Sequence, residues 1–578
     1  MSTNVSSKRK QQQRQAVIRL VMMVVILICV NILAANFHKG FDLTKEKRFT
    51  LSDATKRMLA DLEDVVVVDV YLKGEFPPGI RRLGEATEEQ LRIFREHAGA
   101  QIVYRFIDPL EGKTEQDKNN IIKSLYEKGV EPVSLNVKGD RNNSEQIMFP
   151  YALVQYQGRS MPVKLLERHL GMSDKEQLNY SATLLEYKLA TAIHKLEQPA
   201  KKRIGYIMGH GEQLGAHTMD LLTTLTQYYF VDTIDLPNEY KISDAIYTAI
   251  IINKPTLPID EKDKFKIDQF LMHGGKVLWA LDMLHTPMDT LMKSGHFITT
   301  DYGLNLDDQL FKYGVRVNGD LIEDVTCNQI PLITGTLGNG QPQIELRPWP
   351  FMPIFVPTAS HPIVKNMDAV KSHFVNSIDT IANESTRKTI LLESSQYSRT
   401  AANPVRVSLS MLQYDPDPRL YNKGHKAAAV LVEGKFQSLY TNRVPQAFLN
   451  TLRDSLKYTY KNTVDSATSM IVLADGDMLL NGVSPTTGVQ ELGYWEYTRS
   501  LFANKNFVLN CLEYLTDPHS LLEARSKDLK LRLLDLKRAK DEELKWQAIN
   551  VGLPIALVLI FASCYLFFRK RRYETKGL

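Results

Sequence analysis

The chain has 578 residues, 44% of them apolar and 24% charged, with a net charge of +5 and only four cysteines. Ordinary apolar and charged fractions exclude a disordered or collagen-like chain, and so few cysteines exclude a disulfide-stapled scaffold. The small charge surplus gathers largely at the two ends, which leaves no nucleic-acid footprint.

Two apolar stretches lie near those ends, residues 16–35 (AVIRLVMMVVILICVNILAA) and 549–568 (INVGLPIALVLIFASCYLFF). Each is about 20 residues, enough to cross a hydrocarbon core of about 30 Å at 1.5 Å per residue. Lys8, Arg9, Lys10 and Arg14 precede the first stretch, and Arg569, Lys570, Arg571 and Arg572 follow the second. That placement predicts two spans, both termini cytoplasmic, and about 510 residues on the far side. The first stretch reads as a retained anchor rather than a cleaved signal, because its apolar run exceeds the usual h-region. A lipoprotein site is disfavoured, since Ile28 rather than a small residue precedes Cys29. No G-x-x-x-x-G-K-[ST] sequence occurs, which excludes a recognisable P-loop ATPase. Two helices are too few to enclose a solute pathway, so any energy from the cytoplasm must arrive through a partner.

Taken in chain order, residues 41–62 carry a helix signal, with Ser52 as N-cap and Leu51, Met58, Leu59 and Leu62 on one face. Residues 65–72 (VVVVDVYL) form a β-branched run typical of a buried central strand. A helix over 85–97, a strand over 101–107, a helix over 119–128 and a strand over 133–137 follow. Residues 146–157 and 159–165 close this part as a hairpin turning at Gln157-Gly158. The order β-α-β-α-β-β matches a thioredoxin-like fold. No cysteine lies between Cys29 and Cys327, so the redox C-x-x-C is absent and a binding or spacer module is expected.

A helix over 175–195 leads into a second α/β unit. Strands are predicted at 203–208, 230–235, 248–252 and 276–280, with helices at 217–228 and 260–273, the pattern of a doubly wound parallel sheet. Residues 284–450 read as an elaborated insertion with some β-structure, dense in proline around 341–362. Strands at 430–434 and 470–474 return to the sheet, and 506–515 is a terminal helix. Residues 520–545 are charged but keep Leu522, Leu529 and Leu533 at helical spacing, which predicts an amphipathic stalk.

The sharpest local motif is Gly209-His210-Gly211-Glu212, lying between a strand and a helix. Such turns aim backbone N–H groups at an anion. The spacing is G-x-G-x-x-x-G, not the dinucleotide fingerprint, so the expectation is a tight turn or the rim of a small-ligand cleft that also includes Asn253. No G-x-S-x-G elbow and no H-E-x-x-H occur, which predicts no catalytic residue, no metal and no cofactor. Asp475-Gly476-Asp477 reads as a turn, since the calcium-loop pattern is incomplete. The aromatics Trp349, Phe351 and Phe355 fit either a partner surface or proline-bounded core strands.

The phrases FDLTKEKRFTLSDATKRML (41–59), IGYIMGHGE (204–212), FLMHGGKVLWALD (270–282) and MIVLADGDMLLN (470–481), in this order and between two spans, resemble the ABC-transporter auxiliary proteins. Within these, the chain is similar to the gliding-motility-associated GldG family over nearly its full length. The resemblance implies that the large unit has a class I glutamine amidotransferase-like α/β fold without the nucleophilic cysteine. It also implies a bacterial inner-membrane location and a non-enzymatic auxiliary, substrate-binding subunit working with an ABC permease subunit and a cytoplasmic ABC ATPase, with room for a periplasmic protein partner. The expected layout is a cytoplasmic tail (1–15), a first span (16–36), a thioredoxin-like periplasmic domain (37–198) and an amidotransferase-like domain (199–518). A stalk (519–546), a second span (547–568) and a short tail (569–578) complete it. The rival readings are a membrane-anchored periplasmic hydrolase or transferase centred on His210 and Glu212, and a solute receptor.

Overall fold

The computed structural model describes residues 18–29, 31, 50–517 and 542–574, apart from 139–142, 168–171, 199, 337, 339, 415–416 and 455–456. The chain divides into two units, residues 1–527 and 528–578.

In the first unit, Ser52 caps helix α1 (Asp53–Ala60) as its sequence predicts, its hydroxyl accepting from the Thr55 N–H at 3.2 Å. Strand β1 (Val66–Val70) leads through helix α2 (Pro78–Ala98) to β2 (Ile102–Phe106), and α3 (Glu115–Glu127) follows. β3 (Val133–Lys138) and β4 (Asn143–Met148) form a separate hairpin, and β5 (Tyr151–Tyr156) and β6 (Arg159–Lys164) join the sheet. The sheet order is β2-β1-β5-β6, with β1 parallel to β2 and antiparallel to β5.

Two expectations are corrected here. The continuous strand over 146–157 is two strands, because Pro150 has no N–H to give a ladder and the Tyr151 N–H instead bonds the Phe149 carbonyl at 2.8 Å. The single helix over 175–195 is two, α4 (Asp174–Thr183) and α5 (Leu185–Glu197). There the Ser181 and Thr183 hydroxyls bond the Gln177 and Tyr180 carbonyls and compete with the helical ladder.

The large sheet begins with β7 (Arg203–Met208), helix α6 (Met219–Tyr228), β8 (Phe230–Asp235), β9 (Ala249–Asn253), helix α7 (Glu261–Met272) and β10 (Lys276–Ala280). It continues with β11 (Val315–Val317), β12 (Ile378–Thr380), β13 (Thr386–Glu393), β14 (Ala427–Gly434) and β15 (Thr468–Leu473), and helix α8 (Asn504–Thr516) packs against it. The order is β11-β12-β14-β15-β10-β9-β7-β8, with β13 also on β14.

β8, β7, β9, β10 and β15 are parallel, and the chain order reverses between β7 and β9. Every residue of β9 and β15 is buried, the signature of strands covered on both faces. Beyond β15 the sheet turns antiparallel through β14, β12 and β11, so it is mixed rather than wholly parallel. A parallel pair needs a long crossover, usually a helix, whereas antiparallel neighbours do not. Residues 284–426 supply strands, among them the long pair Cys327–Thr336 and Pro342–Phe355, and only short helices and 3-10 turns. Trp349, Phe351 and Phe355 are core residues, each at most 1% exposed.

Two apolar helices are described. Lys545–Arg571, 27 residues long, is long and apolar enough to cross a bilayer, and Ile18–Cys29 is a shorter apolar helix. The remainder of the first predicted span, the tail 1–15 and stalk residues 519–541, including Leu522, Leu529 and Leu533, lie outside the described residues.

Candidate functional site

The parallel strands β7, β9, β10 and β15 end on one edge of the large sheet, where open α/β sheets place their ligands, most often at the point of reversed order. The loop after β7 carries Gly209-His210-Gly211-Glu212, and β9 ends at Asn253, so the fold brings all five predicted residues to that reversal. Their side chains face inward: His210 is 4%, Glu212 6% and Asn253 0% exposed.

A network explains the inward turn. The His210 N–H donates to Glu212 Oε2 at 2.7 Å, and its Nε2 lies 3.0 Å from Asp263 Oδ2 on α7. Nδ1 lies 3.8 Å from Glu212 Oε1, and the His210 carbonyl accepts from the Thr256 and Leu257 N–H groups. Lys266 Nζ in turn bonds Asp263 Oδ1 at 2.6 Å. Gly211 holds φ at +84°, a conformation that lets the loop fold back on Thr256.

Burial alone would lower the His210 pKa, but the Glu212 and Asp263 carboxylates outweigh it and raise the pKa above the ordinary value. The two carboxylates close on the ring help fix the loop. Among the described residues neither serine nor cysteine is a hydrogen-bond partner of the ring, so no nucleophile stands ready for it to activate. Asn253 Nδ2 donates to the Tyr206 hydroxyl at 3.3 Å, and that hydroxyl donates to the Gln213 carbonyl.

A second cluster stands beside it on the same edge. Lys254, in the left-handed region at φ +51°, places Nζ 2.9 Å from Asp282 Oδ2 and 2.6 Å from Asp477 Oδ1. Asp282 Oδ1 accepts from the Gly476 N–H, while Asp475 accepts from the N–H groups of Asp477 and His373. The predicted turn at Asp475-Gly476-Asp477 is present as a 3-10 element that starts immediately after Asp475.

Burial would lower the Lys254 pKa, yet Asp282 and Asp477 lift it well above the ordinary range. Burial raises Asp475 strongly, helped by the neighbouring Asp477 and Asp282 charges. Next to these groups, burial pulls Lys371 down to about 8 and His373 to about 3. Lys371 Nζ sits 5.4 Å from the centre of the Trp495 ring.

Asp282, Asp475 and Asp477 bring one carboxylate oxygen each within 4.8 Å of one another, close enough for a metal ion. Lys254 already places a cation there: its ammonium bonds two of the three carboxylates and would compete with a metal ion for them. Sequence reasoning did not single out Lys254, Asp282, Lys371 or His373. The available signal was position, since Lys254, Asp282 and Asp475 each stand one or two residues past the end of a buried strand.

Residues 201–511, more than half of the chain, match the sequence model of a family described as an ABC-type uncharacterized transport system. Residues 45–155 match a domain of unknown function. An uncharacterized protein of Borreliella burgdorferi is 22% identical over 417 residues, covering 70% of this chain and 74% of its own length. A solved structure of the mmIFT52 N-terminal domain aligns with a TM-score of 0.30 and 11% identity, over 55% of this chain and 98% of that one. On the strength of the family match, the chain belongs to the auxiliary proteins of ABC-type uncharacterized transport systems.

Proposed function

We propose that the protein is a non-catalytic auxiliary subunit of an ABC-type complex in the bacterial inner membrane. It is held there by two spans with both termini cytoplasmic and its body in the periplasm, and it serves gliding motility. A permease subunit and a cytoplasmic ABC ATPase are its partners, and a periplasmic protein can dock on the body. The observation that carries this reading is the state of the sheet's carboxyl edge. Lys254, Asp282 and Asp477 are ion-paired with one another there, and the His210 ring is tied to Asp263, while His210 Nδ1 and Glu212 Oε1 stay buried without a hydrogen-bond partner among the described residues. Family membership supports the transport role, and Lys545–Arg571 supports the membrane anchor.

The strand orders support the finer domain readings. A β2-β1-β5-β6 sheet with only β5 reversed suits a thioredoxin-like domain over 37–198. The reversal between β7 and β9 suits an amidotransferase-like domain over 199–518.

The test is a mild-detergent pull-down of the full-length chain. Recovery of a multi-span permease and a P-loop ATPase is expected. Recovery of the chain alone, under conditions that keep other membrane complexes intact, would overturn the subunit reading.

A further inference from the structure

A cavity of about 300 Å³ opens between the small-sheet and large-sheet layers of the first unit, away from the carboxyl edge. Three helices end there: α5, α6 and α8. Its lining includes the cations Arg159, Lys195, Lys201 and Lys202 but only the carboxylates Glu513 and Asp517. Lys195 pairs with Glu513 at 3.1 Å, and His194 Nε2 lies 2.8 Å from Asp517 Oδ2. Those contacts occupy both carboxylates.

The other three cations make their hydrogen bonds, among the described residues, to main-chain carbonyls at the helix ends. Arg159 bonds the Leu196 and Gln198 carbonyls, Lys201 that of Thr226 at 2.8 Å and Lys202 that of Thr516 at 2.7 Å. Each helix C-terminus carries about half a negative charge, so three of them offset about half of three full positive charges. An ammonium has three donors and a guanidinium five, and most of these make no hydrogen bond among the described residues. Thr191, whose buried hydroxyl oxygen has no partner among the described residues, lines the same cavity. The site is donor-rich and cation-rich, and its volume stands at the lower end of the roughly 300–1,000 Å³ of small-molecule sites.

We infer that this cavity binds a small soluble oxyanion, one whose acceptor oxygens answer the free donors of Arg159, Lys201 and Lys202. A ligand there would touch β6, α5, α6 and α8 together, so its binding would stiffen the joint between the two sheets. The inference stands apart from the subunit reading, because purified full-length protein should bind with no permease present.

The experiment is thermal unfolding of the full-length chain in detergent, titrated with pyrophosphate or citrate against sodium chloride at matched ionic strength. A saturable rise in melting temperature with either oxyanion, absent with chloride, is the expected result. Lys201→Gln/Lys202→Gln should abolish the rise. Thr191→Met, which removes the buried unpartnered hydroxyl and narrows the cavity without changing charge, should also abolish it and decides the matter if the double variant fails to fold. No saturable rise with either probe would overturn the inference, and so would a rise that survives Thr191→Met.

Discussion

Replacing Lys254 by methionine keeps the aliphatic stem and the left-handed backbone but removes the ammonium that joins Asp282 and Asp477. The Lys254 side chain is 13% exposed and that of Asp282 only 5%, so water cannot readily take the place of the lost cation. Breaking a buried ion pair from one side costs about 3–5 kcal/mol, because the remaining carboxylate stays desolvated and unpaired. With a urea slope of about 3 kcal/mol/M, the unfolding midpoint should fall by about 1–1.7 M. Lys254→Met/Asp282→Asn removes both charges and should recover a large part of that loss, leaving Asp477, whose side chain is 24% exposed, to be hydrated. Urea unfolding of the detergent-solubilised chain, followed by tryptophan fluorescence, gives both midpoints. If the single variant moves the midpoint by less than about 0.2 M, or the double variant is no better than the single, the ammonium does not hold this edge together.

The His210 pKa is raised above its ordinary 6.5, so the stability it contributes is full below pH 6.5 and is lost as pH rises through the folded value. The urea-midpoint gap between wild type and His210→Gln should therefore be widest near pH 6 and shrink toward alkaline pH; a gap that widens with pH would contradict the network. Lys371 has the opposite sign, with a folded pKa of about 8 below its ordinary 10.5, so its burial penalises folding most below pH 8 and not at all above 10.5. Lys371→Met should stabilise the protein at pH 7 by up to about 3 kcal/mol, with the advantage fading by about pH 10.5, as paired denaturation curves would reveal. Gly211→Ala forces a Cβ into a left-handed position against the Thr256 hydroxyl and should cost about 1–3 kcal/mol, read as a lower urea midpoint; an unchanged midpoint would mean that the loop is not packed as described.

Local chemistry made much of this fold legible in one dimension. The VVVVDVYL and KVLWA runs, Ser52 as a cap, and the Gln157-Gly158 turn, both residues at positive φ, all follow from residue-level preferences that need no tertiary context. The same preferences placed Gly209-His210-Gly211-Glu212 and Asn253 at strand ends, and hence at the sheet's carboxyl edge. They misjudged the segments at 146–157 and 175–195, where Pro150 and the Ser181 and Thr183 hydroxyls override the hydrophobic pattern.

Tertiary structure alone decided which strand ends meet. Lys254, Asp282 and Asp477 are separated by 28 residues or more in the chain, and no local pattern marks them as partners. They come together because β9, β10 and β15 lie side by side in the sheet, in an order that reflects how long-range segments share one core. The same holds for the cavity, where Arg159 of β6 meets the carbonyl end of α5 and Lys202 that of α8, 37 and 314 residues away in the chain. Hydrophobic periodicity is a property of neighbours along the chain, so it specifies elements and their faces. Charge pairing across strand ends depends on distances in space, and only the packed sheet sets those.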